Sequence, residues 1–110
     1  MQFQLWDYAT TNFLGVTTAA IGVIDCRQFE ELAFDITTIS TETVNLTSSF
    51  DGVNYSTVKL RPINMNTGAL AAASDLAAGM YFLSIEAFGF IKFTKSAAVE
   101  TVNIRAGLGR

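Results

Sequence analysis

From residue 29 onward, apolar residues recur at every second position over short runs, and this alternation constrains the fold more than any other feature. A period of two places successive side chains on opposite faces of an extended strand, so each run predicts a strand with one buried face. The runs are EELAFDI, TVNLTSSF, YSTVKLRPI, MYFLSIEA, FIKFTK and TVNIRA. The residues predicted to face inward are Leu32, Phe34, Ile36, Val44, Leu46, Phe50, Val58, Leu60, Tyr81, Leu83, Ile85, Ile91, Phe93, Val102 and Ile104.

Two other segments complete the prediction of secondary structure. The run AAIGVIDC is apolar on both faces, which is typical of a strand covered on both sides. Residues 70–79, LAAASDLAAG, are alanine-rich and form either a short helix or a strand edge followed by a loop, because an isolated helix of this length is marginal in water. Short strands separated by turn signals predict an all-β fold, an antiparallel β-sandwich of immunoglobulin-like or jelly-roll type.

The chain has 110 residues, which favours one hydrophobic core and therefore one domain. Residues 19–110 are expected to form the sandwich, and residues 1–18 form either an N-terminal arm or a first strand. The threonine-rich stretch around Gly15 favours an arm, because it separates the first aromatic residues from the alternating runs. Buried aromatic and aliphatic side chains are the usual anchors of interfaces. The predicted interface residues are Phe3, Trp6, Tyr8, Phe13 and Leu14.

The composition argues against several classes of function. Histidine is absent, which removes the commonest general base and metal ligand, and no nucleophile, base and orienting group can be nominated together. We therefore expect neither an enzyme nor a cofactor. The net charge is −3 and the seven basic residues are dispersed, so nucleic-acid binding lacks an electrostatic basis. Cys26 is the only cysteine, so no internal disulfide can form, and we expect it to be a small buried residue.

The sequence also bears on the location of the chain and on its contacts. The N-terminal stretch lacks a basic region followed by an apolar one, and no window reaches the length of a membrane span, so we expect synthesis and folding in the cytosol without membrane association. Half of the residues are apolar and only 15% are charged, which predicts apolar surface that meets a partner or another copy. The candidate contact surfaces are residues 19–26 and 69–78.

The stretch SFDGVNYSTV could hold a metal, bind a ligand or turn the chain. Asp51-Gly52 between two alternating runs is typical of a turn, since glycine accepts positive φ and aspartate can accept hydrogen bonds from the backbone ahead of it. A calcium loop needs oxygen ligands at alternate positions, where Val53 and Tyr55 stand instead. The turn is favoured, and no metal site is predicted. NMNTG and Gly79 indicate two further turns.

The remaining polar motifs have simple interpretations. No spacing forces two carboxylates together, so we expect them on a solvated face. The C-terminal RAGLGR has no helix after its glycines and is expected to be a frayed tail. The carboxylates in question are Glu30, Glu31, Asp35, Glu42, Glu86 and Glu100.

The order SFDGVNY, NMNTG, AAGMYFLSIEAFGFIKF and VETVNI resembles a small β-sandwich module found in virion proteins of tailed bacteriophages. The resemblance covers about residues 42–106. Tyr55 stands where tryptophan is frequent in that module, and residues 1–28 lie outside the match. The resemblance implies a structural virion protein on the capsid surface, a decoration or cement protein whose partner is the major capsid protein. It also implies a homo-oligomer, with a trimer as the first expectation.

One alternative is a glycan-binding or host-surface-binding module of a phage tail or fibre. Such a module needs exposed, coplanar aromatic side chains, because sugar rings stack on aromatic faces. The candidates are Trp6, Tyr8, Tyr55 and Tyr81.

Overall fold

A computed structural model of the chain describes residues 8–110, which fold into two antiparallel sheets packed face to face. The described residues contain no helix, and the predicted all-β sandwich is confirmed. The strands are β1 (Tyr8–Val16), β2 (Ala20–Asp25), β3 (Glu31–Thr37), β4 (Val44–Ser49), β5 (Ile63–Asn64), β6 (Ala69–Leu70), β7 (Gly79–Ser84), β8 (Phe90–Lys95) and β9 (Val102–Gly109).

The larger sheet has six strands in the order β1-β9-β3-β7-β5-β6, and the smaller has three in the order β2-β8-β4. Their inner faces enclose the core. Phe34 of the large sheet meets Phe93 of the small sheet edge to face, with ring centroids 5.3 Å apart. Phe34 also stacks on Tyr81 of the neighbouring strand at 5.5 Å. This aromatic cluster joins the two sheets near the centre of the molecule.

The central strands follow the predicted alternation. In β3, Leu32, Phe34 and Ile36 are at most 2% exposed, whereas the residues between them are not buried. The inward residues of β8 and β9 are buried in the same way. One face of each of these strands packs against the other sheet and the opposite face does not. Since successive side chains of a strand alternate between its faces, this arrangement gives a sequence period of two.

The alternation is wrong at both ends of β4 and at Phe50, which follows it. Phe50 is 81% exposed, whereas Asn45 and Ser49, predicted to face outward, are 8% and 4% exposed. The Asn45 side chain donates a hydrogen bond to Asp75, which lies in a loop that covers β4 from outside. Ser49 turns inward because its hydroxyl accepts hydrogen bonds from the amides of Asp51 and Gly52. Local polar bonds therefore override the hydrophobic pattern here.

The run YSTVKLRPI is not a named strand. It returns alongside β4 with two backbone bonds, from Ser56 N to Ser48 O at 2.9 Å and from Leu60 N to Leu46 O at 2.8 Å. Val58 lies between these bonds and is 69% exposed, so its predicted inward position is wrong.

Strand β2 forms as predicted, but it is not covered on both sides. It is an edge strand of the small sheet, and its Val23 is 45% exposed while Ile24 is buried. Cys26, just after β2, is 1% exposed, as expected for a small buried residue. The Cys26 side chain packs in the hydrophobic core.

Residues 69–78 form a strand edge followed by a loop, which is the second of the two predicted alternatives. Ala69–Leu70 is the short edge strand β6, and the residues after it form a loop in which Leu76 pairs with Val44 through an isolated bridge. Leu76 is 2% exposed. The loop therefore covers the outer side of β4 rather than forming a helix.

The C-terminal RAGLGR is not a frayed tail, and that expectation is wrong. Residues 105–109 belong to β9, which lies between β1 and β3 in the large sheet. Leu108 is 2% exposed and pairs with both Leu32 and Ala9. The alternating apolar positions continue through Ala106 and Leu108, and this period supports the strand.

Residues 8–16 form a strand and not an arm. Tyr8–Val16 pairs antiparallel with β9 from Gly109 to Val102. Gly15, taken as a break between segments, has φ +66° and lies at a register shift between Phe13 and Val16. Its amide donates to Asn103 Oδ1 at 2.7 Å, so the glycine permits a bulge within the strand. Residues 1–7 lie outside the described residues.

Candidate interaction surface

The outer face of the large sheet carries a row of apolar and small residues that crosses five strands. Cross-strand partners point to the same face of a sheet. The register pairs Leu70 with Ile63, Ile63 with Phe82, Phe82 with Ala33, and Ala33 with Gly107. Met80 shares this face, two residues before Phe82. We call this surface the outer strip, and it comprises Ala33, Ile63, Leu70, Met80, Phe82 and Gly107.

The outer strip is accessible. Leu70 is 60% exposed, Met80 is 50% exposed and Ile63 is 36% exposed. Ala33 and Gly107 have little or no side chain, so the strip is lower at its β3–β9 end than at Phe82. A groove of about 400 Å³ lies beside this low region. Exposed apolar residues that form a continuous surface on a sheet are typical of a binding face, whereas single ones are ordinary.

Charged groups flank the outer strip. Asp35 and Arg105 are cross-strand partners, and both line the groove. Glu31 lies on the other side of Ala33 along β3. The surface is therefore an apolar centre with a polar border, as in many protein interfaces.

The sequence predicts Leu70 as a contact residue, within the candidate surface 69–78, but it does not identify Ile63, Met80 or Phe82 as contact residues. A signal was present: in GMYFLS, Met80 and Phe82 are apolar on the face opposite to Tyr81, so this strand is apolar on both faces. In a strand with one face on the core, apolar residues on the second face indicate a second contact. The other nominated run, 19–26, exposes Val23.

A second apolar surface lies on the loop after β4. Phe50, Val53 and Val58 are 81%, 78% and 69% exposed. At the base of the loop Gly52 lies close to the Phe90 ring, since an added Cβ at Gly52 would be 3.0 Å from that ring. We call these three exposed residues the loop patch.

The Asp51 turn lies at the base of the loop patch. The Asp51 carboxylate accepts hydrogen bonds from the amides of Val53 and Asn54, from the Asn54 side chain and from the Ser49 hydroxyl. These bonds, those from the Asn54 and Val53 amides foremost, hold the pKa of Asp51 far below its usual range. Gly52 has φ +79°, which favours glycine. The carboxylate thus organises a turn, and residues 8–110 contain no cluster of three or more potential metal ligands.

A buried group of charges joins two loops on the other side of the molecule. Lys95 Nζ lies 3.0 Å from Glu42 Oε1, and the two side chains are 0% and 7% exposed. Lys95 Nζ also donates to the carbonyls of Thr17 and Glu100. The expectation of a solvated face is therefore wrong for Glu42, whose charge is paired inside the protein.

Glu42 and Glu100 each accept backbone hydrogen bonds from the other's loop. Glu42 Oε2 accepts from the amides of Val99 and Glu100 at 3.0 and 2.6 Å. The Glu100 carboxylate accepts from the amides of Ser40, Thr41 and Glu42. We call the group of Glu42, Lys95 and Glu100 the two-loop clasp.

Both carboxyl groups of the two-loop clasp have pKa values below the ordinary value. Burial raises the pKa of Glu42, but hydrogen bonds from the Glu100 amide and from Lys95 outweigh it, and the net direction is down. The Ser40 hydroxyl, followed by the Glu42 amide, lowers the pKa of Glu100 to about 2. Both groups are occupied as structural acceptors, so neither is poised to exchange protons near neutral pH.

Of the four aromatic candidates for a glycan platform, the structure describes the side chains of Tyr55 and Tyr81, and these two do not form one. Tyr81 is 4% exposed, stacks on Phe34 and donates its hydroxyl to Ala77 O at 2.8 Å. The ring of Tyr55 lies under Lys92 Nζ, 4.3 Å from the ring centroid. Trp6 and the side chain of Tyr8 lie outside the described residues.

Of the predicted interface residues, the structure describes two side chains. Phe13 packs toward the core, 5.9 Å from the Phe93 ring. Leu14 is 57% exposed. Phe3, Trp6 and the side chain of Tyr8 lie outside the described residues. The interface role of all five residues stays a prediction.

The fold is an all-β sandwich of two unequal antiparallel sheets, and solved structures share it, one of them that of a prophage-derived protein. The SPBc2 prophage-derived protein YomS matches with a TM-score of 0.77 and 14% identity, over 94% of each chain. The PBSX exported protein XepA matches with a TM-score of 0.67 and 9% identity, over 92% of this chain and 38% of that one.

These likenesses show the fold alone, because the identities are low. A further structure, the IMPa metallopeptidase from Pseudomonas aeruginosa, reaches a TM-score of 0.50 at 15% identity over only 12% of its own chain. No protein-family model matches the sequence, and no curated protein matches it either. Within residues 8–110, no helix is present that is long and apolar enough to cross a membrane.

Proposed function

We propose that the chain is a structural protein of a bacteriophage particle, and that it acts as a decoration protein that binds an assembled head between capsid subunits. The observation that carries the proposal is the outer strip, an apolar surface with a polar border on the outer face of the large sheet. A surface of this kind is suited to bind another protein.

The fold supports the phage origin. YomS is described as prophage-derived, and the likeness to it extends over nearly the whole of both chains. The order of turn motifs in residues 42–106 independently resembles the virion modules of tailed phages. Both observations concern the sandwich, and both support a phage origin.

The mechanism of such a protein is mass action. A ligand that binds the assembled shell, and not its separate subunits, stabilises the shell in proportion to the logarithm of its concentration over its dissociation constant. The outer strip supplies the apolar contact, at about 25 cal/mol per Å² of apolar surface removed from water. Asp35 and Arg105 beside the groove supply polar contacts that select the orientation.

The described residues favour a binding protein over an enzyme. The chain has no histidine. The carboxylates with the most perturbed pKa values, Asp51 and Glu100, accept hydrogen bonds from backbone amides. Perturbed groups at a catalytic site would instead face a cleft that holds substrate.

The test is co-sedimentation of the purified chain with assembled heads of the phage that encodes it. Leu70→Lys and Met80→Lys place a charge on the outer strip at exposed positions, so they should leave the melting temperature within about 3 °C of the wild type. We expect each to weaken binding to heads by about ten-fold or more, because an unpaired charge must be desolvated. Val99→Lys is the matched control, since Val99 is 83% exposed and lies outside the outer strip.

Equal binding of all four proteins would overturn the role of the outer strip. Failure of the wild type to bind heads would overturn the decoration role. If a glycan array then showed binding to the same protein, the glycan-binding alternative would replace it.

A further inference from the structure

The two sheets have four edge strands, and two of these are protected. Strand β6 has only two residues, Ala69 and Leu70. Strand β4 is covered, because Ser56 N and Leu60 N bond to its outer carbonyls and Leu76 pairs with Val44. Short strands and covered edges are the usual means by which sheet proteins avoid pairing with other chains. The other two edges, β1 and β2, lie on one side of the sandwich, joined by residues 17–19.

Strand β1 is not short, and no other described segment forms a backbone ladder on its outer edge. It has nine residues, Tyr8–Val16, and within the described part of the chain its only ladder partner is β9. From Tyr8 to Ile24 the sequence YATTNFLGVTTAAIGVI contains no charged residue and no proline. The backbone amide and carbonyl groups on the far side of β1 therefore offer a template that a further strand can extend.

The charge distribution favours a second copy of this chain as the occupant. The chain has a net charge of −3, so two copies repel each other where charged faces meet. Residues 8–24 carry no charge, and the charged residue in the β1–β9 ladder is Arg105, opposite Asn12, so two copies can meet at β1 with little of that cost. An antiparallel strand pair is self-complementary under a two-fold axis, because each copy offers the same donors and acceptors to the other.

We propose that two copies of the chain pair through β1, antiparallel, and so join their large sheets into one continuous sheet. The proposed two-fold axis passes near Asn12, the central residue of Tyr8–Val16. Paired strands of one sheet keep their faces, so the outer strips of both copies lie on the same side. If the proposed function holds, the pair binds a head through two strips, and the second contact benefits from a high effective concentration.

The test is sedimentation equilibrium of the full chain over a range of concentrations, without phage particles, so that its outcome is independent of the decoration role. We expect a monomer–dimer equilibrium. Asn12→Lys places two lysines near each other across the pair and should raise the dimer dissociation constant by about ten-fold or more. Asn66→Lys is the matched control: it makes the same change of charge in the exposed turn between β5 and β6 and should leave the constant unchanged.

Cysteine pairing tests the register without relying on a weakened dimer. Thr10→Cys, Asn12→Cys and Leu14→Cys each place one thiol on exposed positions of β1. Directly opposed residues in an antiparallel pair have Cα atoms about 4.5–5.5 Å apart, within the range of a disulfide. We expect one of these variants to form a disulfide-linked dimer under mild oxidation. Cys26 gives no background, because it is 1% exposed and burial raises the pKa of its thiol to about 11.

A strict monomer, a trimer at every concentration, or the absence of a disulfide-linked dimer in all three cysteine variants would overturn the β1 pairing. An Asn12→Lys protein that unfolds would leave the decision to the cysteine variants, which keep the strand uncharged.

Discussion

The Asp51 turn and the two-loop clasp use the same chemistry at very different ranges along the chain. In both, carboxylate oxygens accept hydrogen bonds from backbone amides. The partners of Asp51 lie two or three residues away, at Ser49, Val53 and Asn54. The partners of Glu100 lie 58 to 60 residues away, in the loop that contains Ser40 and Glu42.

The difference determines what each group contributes to stability. A turn of a few residues can form transiently in the unfolded chain, so part of its hydrogen bonding is present before folding. Contacts between loops distant in sequence exist only in the folded protein. The two-loop clasp should therefore contribute more to the free energy of unfolding, although the pKa values of both Asp51 and Glu100 are well below the ordinary range.

The largest effect is expected for Lys95→Met. The change leaves the charge of Glu42 buried without its counter-ion, and loss of one partner from a buried ion pair is strongly destabilising. We expect the melting temperature to fall by about 10 °C or more at pH 7. Thermal unfolding followed by circular dichroism measures it.

The control is the double variant Glu42→Gln/Lys95→Met, which removes both charges but keeps a carbonyl oxygen for the Val99 and Glu100 amides. It should recover at least half of the loss. A double variant less stable than Lys95→Met would contradict the argument that an unpaired charge causes the effect.

The next effect is expected for Glu100→Gln, through the pH dependence of stability. The pKa of Glu100 is about 2 in the folded protein against an ordinary 4.5, so its contribution is fully present above about pH 4.5 and is lost as the pH falls through about 2. In the wild type the melting temperature should therefore fall between pH 5 and pH 2. Glu100→Gln should be less stable at pH 7 by about 5 °C and should show a smaller fall.

The comparison with Asp51→Asn sharpens this result. The pKa of Asp51 is also depressed, so its contribution is likewise lost on acidification. If Asp51→Asn flattens the pH profile more than Glu100→Gln does, then the local turn matters more than the two-loop clasp, and our comparison is reversed.

The smallest effect is expected for Asp51→Asn at pH 7. Asparagine keeps a carbonyl acceptor and tolerates turn geometry, and the turn can form in part in the unfolded chain, where it lowers the pKa of Asp51 as well. The melting temperature should change by no more than about 3 °C. Millimolar calcium should not raise the melting temperature of the wild type, and a rise of several degrees would show that the carboxylate binds the ion.

The sequence predicts the sandwich well where strands have one buried face and regular neighbours. Leu32, Phe34 and Ile36 were assigned to the core from their spacing alone, and they are buried. The prediction fails where a polar bond decides the position of a side chain, as at Ser49, or where a chain segment has too few ladder partners to form a strand, as at Val58. Periodicity reports burial, and these positions depend on hydrogen bonding.

The candidate surfaces were less predictable. The Asp51 turn was identified from Asp-Gly, because the chemistry of that turn is local. The outer strip and the two-loop clasp depend on which strands and loops are neighbours, and strand order cannot be derived from periodicity. Lys95 and Glu42 are separated by the whole of β4 to β8, and nothing near either residue in the sequence indicates the other.

The position of β9 has a consequence for how the protein is made. The last strand lies between β1 and β3, and within the described residues it is the only ladder partner of β1. Strand β1 is synthesised before β9, so it cannot pair with β9 until residues 102–109 have been synthesised. During that interval an uncharged strand with open backbone groups is exposed to other nascent chains on the same message. Slow elongation late in the coding sequence should therefore favour aggregation more than slow elongation early in it.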